Sequence, residues 1–141
     1  MVLHIMKLVV GLDTLADFAE WQKTERVEYQ GREANLVRTR YKPKQADEIL
    51  ESGGSIYRII KGKICCRQKL IGFETVQTDD GQKCLFLTDT EIMRTVPTPK
   101  RAFQGWRYLK EDAVPKDVGL YTGDEELSDM ELELRELGLI K

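Results

Sequence analysis

Three basic side chains, Arg38, Arg40 and Lys42, recur at every second residue, so on an extended strand they project from one face. Arg58 follows in the next β-rich stretch. Lys61, Lys63, Arg67 and Lys69 surround a candidate hairpin, with Lys63, Arg67 and Lys69 on a shared strand face. Further along, Arg101, Arg107 and Lys110 are interleaved with Phe103, Trp106 and Tyr108. Cations that neutralise phosphates, set among aromatic faces that stack on bases, are the means by which single-stranded nucleic acid is held. The expected ligand is therefore RNA or a nucleotide-like molecule. Arg38, Arg40, Lys42, Lys61, Arg67 and Arg107 are the candidate phosphate contacts, and Tyr57 and Trp106 the candidate stacking surfaces. A plainer explanation stays open: Lys and Arg solvate the outer face of a half-buried sheet while Trp106 and Phe103 fill its core.

Catalytic signatures are sparse. His4 is the one histidine, so a Ser-His-Asp triad or a histidine-based metal site would have to run through it. On an alternating strand His4 shares a face with Met6 and Leu8, which favours a structural role. Ser52-Gly53-Gly54-Ser55 precedes a strand rather than a helix and is too short for a phosphate-cradling loop. Its expected job is a turn needing positive φ. Cys65 and Cys66 are adjacent on a candidate strand, so one is expected to be buried and the other more exposed. Lys63 and Arg67 lie near enough to lower a thiolate pKa, but inert cysteine is the simpler reading. A second hypothesis is a small amidohydrolase-like enzyme acting on a modified nucleoside, with Lys42 or Lys61, Thr39 and Glu74 as candidates. It requires those groups to converge in one pocket. A third is a non-catalytic protein-interaction domain. Nothing in the spacing calls for a metal or cofactor, and none is expected.

The bulk numbers fit a globular domain. The chain has 141 residues, 41% hydrophobic and 33% charged, which suggests a single domain spanning residues 1–141. Three cysteines without CxxC or Cys/His spacing indicate reduced thiols, hence a cytoplasmic location. No apolar run approaches a membrane span, and the apolar opening reads as a strand rather than a signal peptide. The net charge of −2 conceals an asymmetry: five cations and no acid lie between Arg94 and Lys110, and the sign inverts after Glu111.

The elements that must position these side chains can be read coarsely. A strand over 2–10 precedes a helix capped by Thr14 and running to about Tyr29, where Gln30-Gly31-Arg32 ends it. Strands follow at 36–41, 56–60, 64–74 and 84–87, with a short helix from about Gln45 to Leu50. Lys61-Gly62-Lys63 and Asp79-Asp80-Gly81 supply hairpin turns. Asp89 or Thr90 can cap a helical turn through Met93, Pro97-Thr98-Pro99 marks an extended connection, and Phe103 to Leu109 reads as a strand. Leu127, Met130, Leu134 and Leu137 form one stripe of an acidic amphipathic helix over about 124–138, a candidate surface for forming a homodimer. The acidic tail is also a candidate partner in cis for the basic face. The order fits α+β, with a small, mostly antiparallel barrel or strongly bent sheet and flanking helices.

Three stretches carry a family resemblance. They are Arg38 to Lys44, Gly53 to Gly62 together with Arg67-Gln68, and Phe103 to Leu109. With the opening Leu3 to Leu8 and the helix ending in Glu20-Trp21, they resemble a bacterial family known as domain of unknown function 1489. That family implies no established activity. More remotely, the run from Thr39 to Glu74 is similar to the centre of PUA-like and ASCH-like domains. The wider resemblance implies a small PUA-like β-barrel with flanking helices, often binding RNA or modified bases. The Gly-Asp turn usual in ASCH-like domains is here Gly53-Gly54-Ser55, and no catalytic residue is carried over.

Overall fold

The structure is a computed structural model and describes residues 1–123; the expected tail helix lies outside the described residues. The class is α+β, mostly sheet with two helices among the described residues. The strands are β1 (Leu3–Leu8), β2 (Arg26–Tyr29), β3 (Arg32–Thr39), β4 (Ser55–Ile60), β5 (Lys63–Thr78), β6 (Gly81–Thr88), β7 (Met93–Pro99), β8 (Trp106–Lys110) and β9 (Asp117–Leu120). Helix α1 (Leu15–Thr24) follows β1, and α2 (Ala46–Ser52) precedes β4. Among the described residues no helix is long and apolar enough to cross a membrane.

The strand path runs β2-β3-β6-β5-β4-β1-β8, with β7 on the free side of β5 and β9 beside β7. Seven of the eight pairings are antiparallel; β1 and β4 run parallel. Strand β5 organises the fold. Its first part pairs with β4 and β7, and its second part with β6, with a register shift between Leu70 and Gly72. A bulge of this kind bends a strand and re-aims its two halves. Gly72 suits the corner because a Cβ there would lie 2.3 Å from the Tyr29 hydroxyl, whose ring covers it. The sheet thus wraps around a core of Leu3, Ile5, Val37, Ile49, Ile56, Leu70, Phe73 and Phe86.

The wrap does not close into the expected barrel: the path ends at β2 and β8. In place of a ladder, Trp106 Nε1 at the start of β8 donates to the Tyr41 carbonyl just past β3, at 3.2 Å. Beside it the Tyr108 hydroxyl accepts from the Gln45 N–H. Two side chains therefore bridge a seam that backbone pairing leaves open.

Helix α1 sits on a second cluster containing Val9, Phe18, Ala19, Ile60, Cys66 and Ile92. Its Thr14 side chain accepts from the Asp17 N–H, as expected from the sequence. The helix stops at Thr24 rather than near Tyr29, because Val27 and Tyr29 go into the β2–β3 hairpin. The tip of that hairpin is Gln30-Gly31, both with positive φ (50° and 80°), the geometry of a type I′ turn. Three further expectations differ. No helical turn follows Asp89, whose carboxylate accepts from the Glu91 N–H while the chain enters β7 directly. Pro97 and Pro99 belong to β7 itself, beyond its pairing with β9, where no donor is required of them. Strand β8 begins at Trp106, because Gly105 turns the chain with φ 71°.

Candidate functional site

The seam is also where the cations gather. A cavity of about 690 Å³ lies across it, lined by Arg38 to Tyr41 from the end of β3, Gln104 to Arg107 at the start of β8, Lys7 of β1 and Lys83 of β6. Five of its lining residues are cations (Lys7, Arg38, Arg40, Lys83 and Arg107) and none is acidic. Glu25 pairs with Arg38 from outside. Among the described residues no carboxylate pairs with Lys7, Arg40, Lys83 or Arg107. The Arg107 guanidinium lies 5.1 Å over the Phe103 ring and donates to the Gln104 carbonyl, which fixes its base. Trp106 is packed against the main core and edge-on to Tyr108, so it forms a rigid wall rather than a free platform.

Lys7 gives the cavity its unusual electrostatics. It lies on the Leu3–Ile5 face of β1, where alternation would place an apolar side chain, and directly beside Arg58 of β4. Burial, and then the positive charge of Arg58, lower its pKa below the ordinary lysine value. Arg58 itself is almost wholly buried under the Phe18 ring, 5.2 Å away, and burial pulls its pKa down to about 10. Its Nε and Nη2 donate to the Lys7 and Leu8 carbonyls, whereas Nη1 is buried without a partner among the described residues. Among the described residues no carboxylate compensates it.

A model of the family described as protein of unknown function (DUF1489) matches residues 5–140. The chain belongs to that family. No curated protein and no solved structure matches it. In this DUF1489 member the cavity brings together Arg38, Arg40, Trp106 and Arg107 of the residues singled out from sequence for binding, includes Thr39 of those suggested for hydrolysis, and adds Lys7, Lys83 and Tyr41.

The other candidates lie elsewhere. Lys42 is exposed beyond the end of β3 and does not line the cavity. Lys61 is exposed at the tip of the β4–β5 hairpin, where it takes a positive φ of 52°. Tyr57 is only 2% exposed and stands edge-on to His4, so its ring offers no face to a base. Arg67 grips Asp117 through two hydrogen bonds of 2.8 and 2.7 Å and donates a third to the Ser55 hydroxyl. Of the groups suggested for hydrolysis, Thr39 lines the seam cavity and Lys42, Lys61 and Glu74 do not. The Thr39 hydroxyl donates to backbone carbonyls, Glu74 accepts from Tyr29, and Lys61 belongs to a different hairpin. What Thr39, Lys42 and Glu74 have in common is proximity to Cys84, a buried thiol whose pKa burial raises, an inert arrangement.

His4 heads a separate cleft of about 370 Å³ on the opposite face of β1, together with Tyr57, Arg67, Glu111 and Asp117. The Ser55 N–H donates to His4 Nδ1 at 2.9 Å, so the ring proton belongs on Nε2, which donates to Glu111. Both nitrogens are engaged inside the protein, leaving neither for a substrate. The Gly-Gly-Ser turn supplies that Ser55 donor. Gly53 takes φ 81° at the end of α2, and the Gly54 N–H bonds to the Ile49 carbonyl, so these N–H groups are not available for phosphate. Of the paired cysteines, Cys66 is buried and Cys65 partly exposed, as alternation implies. Arg58 rather than Arg67 is the cation that tempers the Cys66 thiol, whose pKa a hydrogen bond with Cys65 and burial together raise.

Proposed function

We propose that this protein is a non-catalytic, PUA-like nucleic-acid-binding module of the cytoplasm, and that it holds RNA or a nucleotide-like ligand in the seam cavity. The observation that carries this reading is a concave site lined by five cations and no acid. Two smaller cavities, of about 420 and 370 Å³, each mix acids with cations. Four cations on one concavity, none paired with a carboxylate among the described residues, repel one another unless an anion joins them. A phosphate is the anion best matched to arginine forks and lysine points together. Trp106 and Tyr41 then wall the site with aromatic surface beside the phosphates, as single-strand binders do.

The test is anisotropy of a short labelled RNA titrated against the full chain at several salt concentrations. Affinity is expected to fall with a log–log slope of about −0.7 for each phosphate neutralised. Arg40→Glu and Arg107→Glu should each weaken binding by roughly tenfold and flatten that slope. Unchanged binding in both variants would remove the cavity from consideration. No binding to RNA at low salt would retire the nucleic-acid reading altogether.

A further inference from the structure

The pairing of Lys7 with Arg58 is the least comfortable feature of the molecule. Two cations occupy matched positions on adjoining parallel strands, share one face of the sheet and have no carboxylate partner among the described residues. Arg58 also carries a buried Nη1 donor with no hydrogen-bond partner among the described residues. A protein seldom keeps an uncompensated guanidinium in its interior, because desolvating it costs several kcal/mol unless a counter-charge is close. The cation–π contact with Phe18 offsets only part of that cost. Lys7, beside Arg58, lines the cavity together with Arg40 just past β3, Lys83 of β6 and Arg107 of β8.

Charge density at one point, rather than along a track, is what such an arrangement rewards. A phosphodiester contributes a single negative charge per residue, spread along the strand. A phosphomonoester concentrates about −1.5 to −2 on one group at neutral pH and presents three acceptor oxygens. We infer that the seam cavity is a receptor for a terminal phosphomonoester, seated against Lys7 with Arg40, Lys83 and Arg107 around it. The inference rests on the nucleic-acid reading above and sharpens it from backbone phosphates to a phosphate end. The same group occurs at the end of an RNA strand and on a free nucleoside monophosphate, and the experiment separates the two sources.

The experiment compares one RNA octamer in three forms, carrying a phosphate at its 5′ end, at its 3′ end or at neither, by anisotropy against the full chain. Adenosine monophosphate serves as competitor. A phosphate at one end should tighten binding by roughly tenfold, and Lys7→Met should abolish that preference. Lys83→Gln provides a second variant, at a partly exposed position, and should reduce the same preference. Displacement by the monophosphate at concentrations near the octamer's own dissociation constant would support a free nucleotide as the ligand. Failure to displace, with the end preference intact, would support a strand end. Equal affinity for all three octamers would overturn this inference while leaving RNA binding in place. Absence of binding by every octamer and by the monophosphate would overturn both readings.

Discussion

Two clefts flank β1, one on each face, and they treat charge in opposite ways. In the His4 cleft the polar groups interlock: His4 holds Glu111, Arg67 holds Asp117 twice and Ser55 once, and the Ser55 N–H closes on His4. Across the strand, Lys7, Arg40 and Lys83 face one cavity with no acid among its lining, and Arg107, whose guanidinium lies over Phe103, borders it. A search for catalytic-looking constellations would choose the first cleft, with its histidine, carboxylates and buried tyrosine. Satisfaction reverses that choice. Groups whose hydrogen-bonding capacity is used internally hold the fold together, whereas unpaired charge is what a ligand can still neutralise. The comparison therefore ties one face of β1 to stability, and the proposed binding to the other.

The largest blow to the interlocked face should come from a glycine. A Cβ on Gly54 would stand 2.0 Å from the Leu3 carbonyl and 2.9 Å from a methyl of Ile49. β1 and α2 cannot both stay where they are. Gly54→Ala is expected to cost about 3 kcal/mol by urea denaturation, or to prevent folding. Gly53→Ala is the control. That residue has φ 81° but open space around it, so only the backbone penalty applies, about 1 kcal/mol. Equal losses at the two positions would show that close packing of the turn under β1 is not what seats Ser55 against His4.

Smaller, and aimed at the contrast itself, is a matched pair of neutral substitutions. Arg67→Gln removes the Asp117 and Ser55 bonds and should lower stability by about 1 to 2 kcal/mol. RNA binding should stay as it was. Arg40→Gln should do the reverse, holding stability within about 0.5 kcal/mol while weakening RNA binding. If Arg67→Gln weakened binding as much as Arg40→Gln, the division of labour between the two faces would fail.

Much of this division was within reach of the sequence, and the rest was hidden for identifiable reasons. Alternation placed Arg38 and Arg40 together and separated Cys65 from Cys66, because strand periodicity is a local property. The same X-Gly signal was legible at Lys61-Gly62 and missed at Gln30-Gly31, where a preceding helix made a helix stop the obvious reading. Arg67 and Tyr57 were expected to meet ligand, yet their partners Asp117, Glu111 and His4 are about fifty residues or more away along the chain. Only the tertiary fold reveals those pairings. Lys7 did leave a trace: a lysine follows Leu3 and Ile5 on what alternation makes the core face, just as Arg58 interrupts an otherwise apolar strand. A charge at a core position marks either a hidden partner or a ligand, and sequence alone cannot tell which.

Alkaline titration gives the finest test, because the two faces should respond with opposite sign. Burial, with the carboxylates of Asp117 and Glu111 adding to it against the opposing charge of Arg67, pushes the Tyr57 phenol up to about 12. An unfolded tyrosine ionises near pH 10. The neutral phenol therefore contributes stability that is complete below about pH 10 and lost as pH rises through about 12. Lys7 behaves oppositely, since its folded pKa lies below the usual lysine value of 10.5. As pH climbs through that lowered value, the folded state sheds a proton the unfolded chain still holds, and stability rises. Denaturation midpoints followed from pH 8 to 11.5 should show Tyr57→Phe removing a downward slope and Lys7→Met removing an upward one. Lys7→Met should also stabilise the protein at neutral pH, by about 1 kcal/mol, since an apolar side chain replaces an uncompensated cation. If neither Tyr57→Phe nor Lys7→Met alone altered the wild-type alkaline profile, neither cleft would hold its charge as the geometry implies.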